Sequence, residues 1–167
     1  KDTDSNSSDW QVFAEPIGNS NKLVLNTTAA QSSTTRWNST SPTSTVFTLR
    51  DIGLEGSLIA YCFHSVDGYQ KIGSYSGTGS SLEISVGFQP RFVVIRRVDS
   101  GDRWLIVDTF RGGNTNNDSF LDFQDTLSER NMNAINGLTF NSNSFTVNTT
   151  DGALNNSSGT YFYWAIA

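Results

Sequence analysis

The sequence predicts an all-β fold, an antiparallel β-sandwich made of two related units in tandem. Short apolar segments recur along the whole chain, and clusters of Gly, Asn, Ser, Thr or Asp separate them. Apolar residues at helical spacing are nearly missing. Several segments of the first half also recur in the second half in the same order, which is typical of repeat architectures. With 167 residues, the chain is long enough to bury a core without covalent cross-links.

Each apolar segment bounded by turn residues is interpreted as one strand. The expected strands are residues 10–14, 22–26, 45–49, 57–64, 69–77, 81–87, 91–98, 103–109, 119–123, 144–148 and 160–167. A short helical turn is expected only within 124–137, where a capping residue and a terminal glycine frame a weakly periodic stretch.

Two pairs of segments carry the internal repeat. "SSDWQVFAEP", around Trp10, resembles "SGDRWLIVDT", around Trp104. In both segments a polar turn with an Asp precedes a Trp that opens an apolar strand. Residues 45–63 resemble residues 144–166 in the same way, with a Phe-Thr strand, a loop containing Leu, and a Gly before a strand rich in aromatic residues.

The repeat predicts two units with different completeness. The second unit, 66–167, has the apolar strand "RFVVIRR" before its Trp, and nothing in the first unit, 1–65, corresponds to that strand. We therefore expect 1–65 to be the C-terminal part of a first unit whose N-terminal strand is missing, and the chain to be a fragment of a longer polypeptide. A missing strand leaves an open sheet edge, which another segment must cover.

Charge and cysteine content exclude several classes of function. The net charge of −5 argues against nucleic-acid partners, because such binding depends on clustered Lys and Arg. The longest apolar runs fall far short of the roughly 20 residues that cross a bilayer, so no membrane insertion is expected. A single cysteine forms no internal disulfide. The acidic residues are scattered without a pair suited to acid–base catalysis, so we expect neither an enzyme nor a cofactor.

The only cysteine and the only histidine lie two residues apart, as Cys62 and His64. On a strand both side chains would share one face, but two ligands are too few for a zinc site. The pattern favours a small buried Cys62 in a core strand, with His64 at the rim.

One loop and one acidic segment supply the candidate binding residues. Trp37, between Arg36 and Asn38, has no apolar neighbours in "TTRWNSTSPTS", which suggests an exposed aromatic platform for a sugar. The alternative is a loop anchor packed on the sheet. Asp2, Asp4 and Asp9 are candidate ligands of a calcium site, although the 12-residue calcium-loop spacing is lacking.

Several motifs together resemble a module of unknown function from large virion proteins of tailed phages, including marine ones. They are "YCFHS", "GSYSG", "GFQPRFVVIRR", "LTFNSNSFTV" and "GTYFYWA". The resemblance covers nearly the whole chain and is most specific over 57–167. In virion proteins such modules often stand beside concanavalin A-like lectin domains. The resemblance implies a jelly-roll or lectin-like sandwich and a structural or adhesive role, and it brings no catalytic residues.

We therefore expect a non-enzymatic virion protein, a segment of a tail fibre or surface appendage that forms homo-oligomers or binds other virion proteins. Its loops could contact a host surface glycan. Two alternatives stay open: a capsid-decorating, particle-stabilising or filament-building protein, and a carbohydrate-binding module of a larger depolymerase.

Overall fold

The computed structural model of the chain describes residues 1–4, 8–50, 57–111, 119–126, 128–131 and 137–167. These residues contain twelve strands, all paired antiparallel, and very little helix. The strands are β1 (Gln11–Val12), β2 (Asn21–Val24), β3 (Ser32–Ser33), β4 (Gln70–Ser76), β5 (Leu82–Ser85), β6 (Phe92–Arg97), β7 (Trp104–Asp108), β8 (Ser119–Asp122), β9 (Arg130–Asn131), β10 (Leu138–Phe140), β11 (Ser144–Val147) and β12 (Thr160–Ile166).

The strands form three sheets in three layers. The central sheet has six strands in the order β4-β12-β6-β7-β8-β9. An N-terminal sheet, β1-β2-β3, packs on one face of it, and a C-terminal sheet, β10-β11-β5, packs on the other. The all-β, sandwich-like prediction is therefore confirmed. The jelly-roll or lectin-like arrangement and the two tandem units stay predictions.

Alternation along β6 shows how one strand serves two cores. Val93 and Ile95 point to the C-terminal sheet, where they pack with Phe145 and Leu138. Val94 points the other way and packs with Leu23 of the N-terminal sheet. Successive side chains of a strand face opposite sides, so a strand covered on both faces is apolar at nearly every position.

The segment after β11 closes one corner of the fold. Asp151 caps a four-residue helix, α1 (Gly152–Asn155), by accepting a hydrogen bond from the Ala153 N–H, 2.9 Å away. The hydroxyl groups of Tyr75 and Tyr161 donate to the backbone oxygens of Leu154 and Gly152, each at 2.7 Å. Helix α1 is therefore fastened to the central sheet. None of the helices in the described ranges has the length and apolar character of a membrane span.

Glycine is required where β4 leaves the sheet. A Cβ atom on Gly77 would stand 2.1 Å from the backbone oxygen of Asn156. The Gly77 N–H donates to Gly159 O at 2.7 Å, and the Ser158 N–H donates to Gly77 O at 3.0 Å. The close approach of these two backbone segments leaves no room for a side chain.

Two of the expected strands are wrong. Residues 45–49 and 57–64 form no strand, although both segments are described, and residues 57–64 are all exposed. Their repeat partners are the strands β11 and β12, so matched sequences have unequal structures in the two halves. The expected helical turn at 124–137 falls partly outside the described residues, and its described part contains β9.

Candidate functional site

The turn after β3 contains the predicted ligand-binding residues. Trp37 is buried, with 9% of its surface exposed. Its indole Nε1 donates to Asn21 O at 2.8 Å, and its ring meets Phe13 edge-on with centroids 5.8 Å apart. The expectation of an exposed Trp37 is wrong, because the indole finds its partners on the N-terminal sheet. The alternative, a loop anchor packed on a sheet, describes this side chain.

The residues on either side of Trp37 have different environments. Asn38 is exposed and has a left-handed backbone, with φ of 51°. Arg36 is partly buried, and its Nη1 has no hydrogen-bond partner among the described residues. The three candidates therefore do not form one surface, because Trp37 is buried under the turn whereas Asn38, a residue of the same turn, is exposed.

An open groove of about 590 Å³ lies beside this turn. Every described residue that lines it carries a hydroxyl group: Ser20, Ser33, Thr34, Thr35 and Ser39. A hydroxyl both donates and accepts hydrogen bonds, so the groove offers matched partners to a polyhydroxylated ligand and no fixed charge. The sequence analysis predicted a binding site in this loop because of Trp37. The groove is instead lined by small hydroxyl-bearing residues near Trp37.

The second feature is an apolar strip on the outside of the fold. We use this name for Leu58, Ile59, Tyr61, Phe63 and Val66, which are all exposed, Tyr61 by 68%. Tyr61 stacks on Trp10 with ring centroids 5.7 Å apart, and Phe63 packs on Trp164 at 4.4 Å. The strip therefore lies over aromatic residues and leaves its outer surface uncovered.

Among the described residues, backbone pairing of the strip is found only near its two ends. The Ile59 N–H donates to Lys1 O and the Lys1 amino group donates to Ile59 O, both at 3.0 Å. Asp2 and Leu58 form an antiparallel bridge, and Val66 pairs with Gln70. The backbone N–H and C=O groups of residues 60–63 make no hydrogen bond to any described residue.

Cys62 and His64 lie within this strip, and both are exposed. The prediction of a buried Cys62 in a core strand is therefore wrong. Nδ1 of His64 lies 2.8 Å from the backbone oxygen of its neighbour Ser65, a local contact. Apolar residues at successive positions suggested a core strand, but this segment joins none of the three sheets that the described residues form.

The three carboxylates proposed for calcium each accept a separate hydrogen bond from a different partner. Asp2 Oδ1 accepts from the Asp4 N–H at 2.9 Å, Asp4 Oδ2 accepts from the Ser57 N–H at 2.9 Å, and Asp9 Oδ1 accepts from the Asn26 side chain at 3.0 Å. In the described part of the chain, no three His, Cys, Asp or Glu residues form a group that could hold a metal.

A buried arginine joins the central sheet to the N-terminal half. Arg96 is fully buried, donates to Ala29 O, and lies over the Trp104 ring at 5.6 Å. Burial lowers the pKa of Arg96 to about 10, partly offset by Asp102. Its Nε and Nη1 have no partner among the described residues. The run "RFVVIRRV" predicted this strand but not that one of its arginines faces inward.

A family model described as "Domain of unknown function (DUF7483)" matches residues 1–167. No curated protein and no solved structure matches the chain. The match covers every residue, so the chain belongs to this family.

Proposed function

We propose that this member of the DUF7483 family is a non-enzymatic structural protein of a phage virion, a segment of a tail fibre or similar surface appendage. The apolar strip is the observation that carries the proposal. Lines of exposed apolar side chains mark surfaces that other protein covers, because their exposure to water is unfavourable. The resemblance to virion modules of tailed phages supports the same role.

The architecture suits a part that must persist outside a cell. Both faces of the central sheet are buried, and the packing needs no disulfide, because the chain has one cysteine. A part that persists outside a cell depends on slow unfolding, which is kinetic stability, and a core covered on both faces suits that requirement. Other copies of the chain or other virion proteins are the proposed partners, at the surface of the particle.

A cryo-EM reconstruction of the native particle, with a gold-labelled antibody against this chain, tests the proposal. Label at a fibre or other appendage is the expected result. Label spread regularly over the shell would favour the capsid-decorating alternative. Purified particles that contain no such chain by mass spectrometry would overturn the virion role.

The hydroxyl-lined groove favours an additional adhesive role. We propose that it contacts a neutral glycan of the host surface, with Asn38 at its rim and Arg36 close by in sequence. Its hydroxyl groups match the donor and acceptor pattern of sugars. A ligand held by so few polar contacts binds weakly, so adhesion would depend on many copies acting together.

Glycan arrays probed with a multivalent form of the chain test this role. Ser33→Ala combined with Thr35→Val should abolish the signal, whereas Thr28→Val, an exposed hydroxyl outside the groove, should leave it intact. Equal signals from both variants would reject the groove. A catalytic carboxylate pair in adjoining sequence would instead favour the depolymerase alternative.

A further inference from the structure

The side chain of Arg96 lies inside the fold with most of its hydrogen-bonding capacity unused. Arg96 is 0% exposed and lies on β6 between Val94 and Val98, which both face the core under the N-terminal sheet. Its Nη2 donates to Ala29 O, and the Trp104 ring covers the guanidinium at 5.6 Å. Nε and Nη1 have no hydrogen-bond partner among the described residues. Buried polar atoms are almost always paired, so these two nitrogens call for an acceptor.

The positive charge of Arg96 has no counter-ion in contact with it. The ion pairs of the described residues do not include Arg96. Both carboxylate oxygens of Asp99 are engaged by Arg97, each at 3.1 Å, and Asp102 influences Arg96 only through space. Burial lowers the pKa of Arg96 to about 10, so the group still carries its charge at pH 7.

The segment above Arg96 is closed by backbone hydrogen bonds. The Asp102 N–H donates to Thr28 O, and the Gln31 N–H donates to Val98 O, both at 2.9 Å. These two bonds hold residues 28–31 against the turn that joins β6 to β7. A ligand that reaches the guanidinium must therefore be small and must shed most of its water.

An anion would satisfy both needs of this side chain, whereas water would satisfy only one. Water supplies hydrogen-bond acceptors but no negative charge, and burying an unpaired charge costs far more free energy than burying a neutral polar group. One uncompensated positive charge calls for a monovalent anion. Chloride and bromide lose their hydration shells at a lower cost than fluoride, and large oxyanions do not suit a closed site.

We propose that Arg96 binds a buried monovalent anion of the chloride class, which accepts hydrogen bonds from Nε or Nη1. The bound anion neutralises the guanidinium and so stabilises the attachment of residues 28–31 to the central sheet. This site does not depend on the virion role, and the failure of either proposal leaves the other standing.

Urea unfolding of the whole chain at constant ionic strength tests the site, with sodium chloride replacing sodium gluconate in steps. Above the dissociation constant, each tenfold rise in chloride should lower the equilibrium constant of unfolding about tenfold, because one anion binds the folded chain and none binds the unfolded chain. This change equals about 1.4 kcal/mol. An unfolding constant that is the same at every chloride concentration would overturn the proposal.

Two arginine variants show where the anion binds. Arg96→Met removes the charge but keeps a long side chain, and apolar replacement of a buried charge is often tolerated. It should abolish the dependence of unfolding on chloride. Arg97→Met is the control, since Arg97 is paired with Asp99 near the surface, and it should keep the full dependence. Equal chloride dependence of wild type and Arg96→Met would place the anion elsewhere and overturn the proposal.

Crystals of the wild-type chain grown with bromide in place of chloride locate the ion without any substitution, so they decide the matter even if Arg96→Met does not fold. An anomalous bromide peak within hydrogen-bond distance of Nε or Nη1 is the expected result. Water at both nitrogens without an anomalous peak would overturn the proposal. A peak in a chain whose unfolding is insensitive to chloride would mark an adventitious ion only and would overturn it as well.

Discussion

The indole Nε1 of Trp104 donates a hydrogen bond to the backbone oxygen of Val24, 3.0 Å away, and so joins β7 of the central sheet to the end of β2. Trp37 makes the matching bond to Asn21 O at the other end of β2. Strand β2 is thus held by two tryptophans that lie far apart in the sequence. The N-terminal sheet depends on these bonds as well as on packing, because its strands are short.

Replacing Trp104 with Phe should destabilise the protein by about 1–3 kcal/mol, because Val24 O loses its partner inside the fold. Chemical denaturation measures the change in the free energy of unfolding. Trp10→Phe is the control, since the Trp10 indole nitrogen has no hydrogen-bond partner among the described residues and should cost less. Equal losses for the two variants would mean that the bond contributes nothing beyond packing.

Replacing Asn155 with Ala should lower the free energy of unfolding by about 2–5 kcal/mol. The buried amide donates to Ser80 O at 2.6 Å and to Thr149 O at 3.0 Å, and it accepts from the Thr78 N–H at 2.8 Å. The exposed neighbour supplies the control, Asn156→Ala, which should change stability by under about 0.5 kcal/mol. Thermal melting of both variants measures the difference in stability. Similar melting midpoints would mean that the hydrogen bonds of the Asn155 side chain do not stabilise the fold.

Stability should fall at alkaline pH, and Tyr75 should contribute to the fall. Burial raises the pKa of Tyr75 well above its usual value of 10.0, and the nearby Tyr161 raises it further. In the unfolded chain the Tyr75 hydroxyl loses its proton near pH 10, whereas in the folded chain it keeps that proton. The contribution of Tyr75 to the free energy of unfolding is therefore complete below pH 10 and is lost as the pH rises through the pKa of the folded state.

Urea unfolding of wild type and Tyr75→Phe at pH 8 and pH 11 tests this linkage. At pH 8 the variant should be less stable by about 0.5–1.5 kcal/mol, because the hydroxyl no longer donates to Leu154 O. At pH 11 the difference should narrow. A constant difference at both pH values would show that Tyr75 is not protected from ionisation.

Cys62 and His64 should tolerate replacement together. Both are exposed, so Cys62→Ala with His64→Gln should change the free energy of unfolding by less than about 0.5 kcal/mol and leave any binding activity intact. In native buffer, Cys62 should react with one equivalent of a thiol reagent, at a rate that denaturant raises little. A rate limited by global unfolding would instead place the thiol in a core.

The central strands were predictable from sequence because their environment is simple. β6, β7 and β12 are apolar at nearly every position, since both faces of their sheet are covered. The same pattern misled at residues 57–64. Whether an apolar segment becomes a strand depends on a pairing strand elsewhere in the chain, and the sequence of the segment alone does not show whether that pairing strand exists.

The site was less predictable, for a related reason. The polar neighbours of Trp37 predict exposure, but its burial depends on Phe13 and Asn21, which only the fold brings near. The groove beside it is lined by Ser and Thr, residue types so common in this chain that no local pattern marks them. Arg96 faces inward because the side chains of a strand alternate between its two faces. The sequence has two adjacent arginines, Arg96 and Arg97, and does not indicate which of them is buried.

The position of β12 governs when this module can fold during synthesis. It lies between β4 and β6, which end at Ser76 and Arg97, whereas β12 begins only at Thr160. Until Ile166 has left the ribosome, β4 lacks the one strand that it pairs with among the described residues, and β6 keeps one edge unpaired, so the nascent chain exposes unpaired strand edges. Production of this protein in a foreign host should therefore depend on chaperones that shield those edges and on low temperature, more than on the stability of the finished fold.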